Sequence, residues 1–130
     1  MADYTLLNLR TDVEDMAPKF DMGEGIEAHF ARKPLNLEKS GLSYFNLGPD
    51  YRLGFGHIHS DQEEIYLVIS GTARIKIDDE EVEVGALDAV RIPPGTMRSM
   101  GAGPEGAELI AFGAPDTDNK DIEMKPAFFE

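Results

Sequence analysis

Two imidazoles and a carboxylate stand close together in one short stretch of the chain, at His57, His59 and Glu64. Residues two apart on a β-strand project from the same face, so a strand through residues 53–59 brings both imidazoles within reach of one ion. The residues Ser60, Asp61 and Gln62 suit a turn. After that turn Glu64 returns on the neighbouring strand and meets the pair from the side. Tyr66 shares the orientation of Glu64, and Glu63 points away. Two imidazoles and one carboxylate leave positions open for water or substrate, and they suit iron, nickel, manganese or zinc. The chain has no cysteine, which removes disulfides, thiolate nucleophiles and thiolate metal sites.

These side chains need a scaffold that holds neighbouring strands in register. From Gly25 onward, Gly, Pro, Asn and Asp punctuate the chain every several residues, with β-branched and aromatic residues between them. That spacing predicts an all-β sandwich or barrel. The expected strands are 26–31, 42–47, 53–59, 64–69, 72–77, 81–84, 89–92, 97–100 and 108–112. The clearest alternation sets Ala73, Ile75 and Ile77 against Arg74, Lys76 and Asp78, one face dry and the other wet. The acidic run 78–81 reads as a solvated hairpin turn. Thr11 and Glu14 have the form of a capping box, and Pro18 closes the segment, so a short helical turn is expected at residues 12–16.

The chain's 130 residues fit one domain, with residues 1–40 as an N-terminal arm and first strands and residues 41–130 as barrel core and C-terminal segment. A net charge of −13 repels phosphate backbones and anionic headgroups, so neither nucleic acid nor a membrane surface is an expected partner. No apolar run approaches the roughly 20 residues that span a bilayer. Residues 1–10 lack the basic and then apolar pattern of a secretory signal. The expected setting is cytoplasmic.

Six residues separate Glu64 from Gly71, and farther on come Pro93, Pro94, Gly95, Thr96, Met97 and Arg98. Together these segments resemble the cupin superfamily. Its first motif reads HxH, three or four residues, Glu, six residues, Gly, and its second reads PxG, two residues, His. His57, His59, Glu64 and Gly71 match the first, and Pro93 and Gly95 the second, with Arg98 in the place of the second motif's His. The resemblance runs over roughly residues 42–113. It implies a small jelly-roll barrel of two antiparallel sheets with the ligands pointing into its cavity, and often a homodimer. Tyr51 and Leu87 replace glycines of the family pattern. The change at position 98 matters more, because a guanidinium offers no lone pair and places a positive charge beside the metal position. The other histidine, His29, is expected to be a partly exposed strand residue, unless its strand crosses the barrel mouth.

Two readings of the pocket follow. In one, His57, His59 and Glu64 hold a divalent ion while Arg98 clamps an oxygen of a compact anionic ligand, a carboxylate, with Tyr66 and Met100 shaping the pocket. Chemistry there would be metal-assisted turnover of a small oxygenated acid or sugar derivative. In the alternative, Arg98 pairs with Glu64 and the barrel is a metal-free, non-catalytic ligand-binding or sensing module. The tail, with Phe128 and Phe129, is expected to dock on the barrel or on a second subunit.

Overall fold

The computed structural model describes residues 2–129, and it is built almost wholly of strands. They are β1 (Ile26–Phe30), β2 (Gly41–Leu47), β3 (Phe55–His59), β4 (Glu63–Ile77), β5 (Glu80–Gly85), β6 (Ala89–Ile92), β7 (Arg98–Ala114) and β8 (Ile122–Pro126). Every pairing is antiparallel. Two strands are longer than the sequence pattern predicts. β4 fuses the expected 64–69 and 72–77, and β7 fuses 97–100 and 108–112.

These long strands curl the structure into a barrel. The first part of β4 pairs with β6 and the last part of β7, and the second part pairs with β5 and the first part of β7. The two layers of the jelly roll are therefore joined into one hydrogen-bonded sheet, with β1 and β2 on one side of β7 and β3 and β8 on the other. The bend falls where register shifts, between Val68 and Ser70 and again between Gly71 and Ala73. Gly71 is left-handed there, with φ +73°, and a Cβ would run into the carbonyl oxygen of Gly106.

The core lies inside the barrel, where Tyr66, Val68, Ala73, Ile75, Met100 and Leu109 are buried. As the alternation predicts, Ala73 and Ile75 point inward, and the acidic run forms the β4–β5 turn. The tail docks on the barrel. Phe128 is buried against Gly56, where a Cβ would lie 2.6 Å from its ring, and Lys76 Nζ donates to the Phe128 carbonyl.

Two local expectations are corrected. Residues 12–16 hold no helical turn. The Asn8 side chain accepts from the amides of Arg10 and Thr11, and Asp15 accepts from those of Ala17 and Ala28. The one helical segment among the described residues is a 3-10 turn, Ala17–Phe20, with Pro18 near its start, where its missing N–H costs nothing. His29 is not partly exposed but 3% accessible. The arm folds over it, so that its ring meets the Val13 carbonyl at 2.7 Å and Glu27 at 3.0 Å, outside the cavity.

The bulge yields a stability prediction. Gly71→Ala should lower unfolding free energy by roughly 1–3 kcal/mol, because strain in a left-handed residue adds to the clash with Gly106. Chemical denaturation should show this loss, and an unchanged midpoint would mean that the bend does not depend on glycine.

Candidate metal and ligand site

His57 and His59 project from β3 into the barrel, and Glu64 from the start of β4. One potential ligand atom of each lies within 4.8 Å of the other two, the separation that one ion can bridge. The imidazoles cross edge to face, with centroids 5.0 Å apart. The end of β3 is held by Gly95, whose amide donates to the His59 carbonyl at 2.8 Å. The Pro-Gly turn of the second motif thus positions a ligand of the first.

A fourth residue, distant in sequence, orients His59. Asp121 lies just before β8, and its Oδ1 sits 3.0 Å from His59 Nδ1. The same carboxylate accepts from Thr117 Oγ1 at 2.5 Å and from the amides of Asp61 and Gln62 at 3.0 Å each. Burial pushes the Asp121 carboxyl up, but these four donors outweigh it and hold the group well below the usual carboxylate range. An ionised carboxylate accepts only, so His59 Nδ1 donates to it and Nε2 is the ring nitrogen left for an ion.

Arg98 reaches the site from the first residue of β7, paired in register with His57. Its side chain is wholly inaccessible, and it does not line the cavity. Arg98 Nε stands 3.6 Å from Glu64 Oε1, too far for a hydrogen bond. Nε, Nη2 and Glu64 Oε1 all lack a partner among the described residues, while Nη1 donates to the Thr96 carbonyl. The pair balances charge without satisfying either group. Burial raises the Glu64 carboxyl, with Arg98 opposing that shift. Burial first, then the charge of Arg98, pushes His57 down to about 3. Tyr66, 1% exposed, is raised by burial and by Glu64. Near neutral pH, His57 is therefore a neutral lone-pair donor.

Tyr66 and Met100 line the cavity with the His and Glu residues, as the strand parity predicts. The cavity measures about 730 Å³. Its mouth is bordered by the arm, by Arg32 and Lys33, and by the β7–β8 loop. Arg32 is ion-paired with Asp116 and approaches Asp118 at 3.6 Å, tying that loop to the chain before β2. Sequence reasoning missed Asp121, Thr117, Arg32 and Asp116. Only the polar residue types of 116–121 signalled anything there, and they read equally as a surface loop.

Residues 45–112, just over half of the chain, match the family model described as Cupin domain. No curated protein sequence matches the chain. Solved structures share the fold. A cupin protein from Bacteroides fragilis is 24% identical with a TM-score of 0.71, over 90% of this chain and 88% of that one. KdgF from Halomonas sp. is 18% identical at TM-score 0.70, covering 91% and 98%. Oxalate decarboxylase from Bacillus subtilis is 21% identical at TM-score 0.73, and there the match spans 95% of this chain but only 33% of the larger protein.

The buried imidazole makes stability pH-dependent. Unfolding frees His57 to take up a proton below its ordinary value near 6.5, whereas the folded site resists protonation down to about 3. Within that window the unfolded state binds more protons, so stability falls as pH is lowered, by up to about 1.4 kcal/mol per pH unit from this group. Denaturation of chelator-treated protein between pH 7 and pH 4 should give a steeper profile for wild type than for His57→Gln. Parallel profiles would contradict the assignment.

Proposed function

This chain belongs to the cupin domain family, and we propose that it binds an anionic small molecule, a carboxylate, in its barrel beside a divalent ion held by His57, His59 and Glu64. The observation that carries this reading is the donor set: three ligand atoms within 4.8 Å, one imidazole locked by Asp121 with Nε2 presented, and a Glu64 oxygen without a partner. These groups fit iron, nickel, manganese or zinc. When bound, such an ion supplies a Lewis acid that polarises an oxygen of the ligand.

The chain's own residues do the rest. Asp121 keeps His59 in the ligating tautomer, and Arg98 neutralises Glu64 from below the cavity surface. Arg98, sealed below the cavity surface, acts on a ligand oxygen at the ion through its positive charge rather than by contact. Tyr66 and Met100 border the place where that oxygen would sit. Turnover of an oxygenated acid would draw on these same groups, with Arg98 meeting negative charge as it develops.

The metal-free sensing reading rests on Glu64 and Arg98 satisfying each other. Their 3.6 Å separation and their unpartnered atoms favour the ion instead. The outer sheet face is the surface proposed for a homodimer. Ile65 and Phe112 face each other there in register, both exposed, with the exposed Ile69 four residues farther along β4. Among the described residues no helix is long and apolar enough to cross a membrane. We propose a cytoplasmic setting, whose reducing conditions cost nothing to a chain that has no disulfide to lose.

Elemental analysis of protein purified without chelator tests the metal. Wild type and His29→Ala should carry up to one equivalent of iron, nickel, manganese or zinc, and His57→Ala should carry none. Added ion at about a hundredfold excess over Kd should stabilise the wild type by ~3 kcal/mol. Metal retained by His57→Ala would move the site elsewhere. No metal and no stabilisation by any divalent ion would establish the Glu64–Arg98 module.

A further inference from the structure

We propose that the cavity's ligand is an aryl carboxylate whose aromatic body lies along a wall of three phenylalanines. The proposal rests on the reading above for the position of the ligand's head at His57, His59 and Glu64. About 730 Å³ is a volume of the class that holds drug-sized molecules. A bare two- or three-carbon acid at the metal set would leave most of it unfilled.

The character of the body follows from the walls. Phe20 and Phe30 meet edge to face at 5.7 Å and 76°, and Phe30 and Phe45 do so at 6.0 Å and 77°. All three line the cavity. They form a continuous aromatic wall from the exposed lip at Phe20, 54% accessible, to the buried Phe45. Across the cavity stand Phe55, Met100 and Met124. Aromatic rings offer both faces and edges to another ring, and thioethers adapt to its outline. Met124 is 53% accessible. Large apolar side chains at Phe20 and Met124 thus lie in water on the rim of one cavity, and an apolar body entering it would cover both.

The ion at the head sets the sign of the ligand, and a cation stands at the rim among the carboxylates of Glu14, Asp116 and Asp118. Lys33 borders the cavity and makes no ion pair among the described residues. In a chain of net charge −13, an unengaged cation at the entrance admits an anion that the rest of the surface repels. A polyol acid would set much of its hydroxyl surface against the phenyl and thioether groups of this wall, where it finds no hydrogen bonds.

Isothermal titration of the metal-loaded protein with 2-naphthylacetate, its amide, acetate and glucuronate tests this class. The naphthyl acid should bind about 100-fold more tightly than acetate or glucuronate, as expected from burying its ring system. Phe20→Ser and Met124→Ser alter half-exposed rim positions, and each, in protein whose circular dichroism matches wild type, should weaken 2-naphthylacetate several-fold and more than it weakens acetate. Glucuronate binding as tightly as the naphthyl acid, or no binding of the naphthyl acid, would overturn the proposal. If the amide binds as tightly as the acid, or if His57→Ala leaves the affinity unchanged, the head assignment falls while an aromatic preference over acetate and glucuronate keeps the aryl class.

Discussion

A guanidinium with no solvent access, set 3.6 Å from a carboxylate and beside two imidazoles, is the constraint on which this barrel turns. Taking such charges from water costs several kcal/mol per ion unless their lone pairs and protons find partners. Arg98 and Glu64 do this only in part, since Arg98 Nε, Arg98 Nη2 and Glu64 Oε1 find none among the described residues. The surrounding groups respond to that field. His57 is driven to its neutral form, Tyr66 keeps its proton, and Glu64 is held between burial, which favours its acid form, and Arg98, which favours its anion. The site holds neutral nitrogen donors next to a carboxylate whose charge is partly balanced from below.

The fold makes this possible by bringing three strands and the segment before β8 to one place. β3 supplies the imidazoles, β4 the carboxylate and β7 the guanidinium, while the segment before β8 supplies the carboxylate that orients His59. None of these contacts is local except the His-x-His pair. The bend at Gly71 lets β4 hold Glu64 at one end and pair with Arg98 through Ile77 at the other. The Phe128 ring against Gly56 covers the side of β3 opposite the imidazoles.

Much of the site was legible because strand periodicity is strict. A period of two puts His57 and His59 together, puts Tyr66 with Glu64, and puts Met100 on the side of Arg98, and the structure keeps these relations. Parity does not give depth. Arg98 projects toward Glu64, but only the packing of β3 and β4 around it seals it below the cavity surface. Asp121 was not legible, because it lies 62 residues from its histidine in a polar segment with no alternation of its own. The N-terminal turn was misplaced because the Asn8 side chain takes the Thr11 amide that a capping box would have given to Glu14. His29 was misjudged because the arm that covers it carries no strand pattern.

The central claim is that His57, His59 and Glu64 form an ion site that Arg98 weakens by its charge and by standing where a fourth ligand could. Competition titration with a fluorescent chelator at neutral pH, comparing wild type with Arg98→His, tests it most directly. A neutral imidazole in place of the cation should tighten divalent-ion binding by roughly 10- to 100-fold, the scale on which a neighbouring group tunes a metal site. Equal affinity in the two proteins, or no binding by either, would contradict the account.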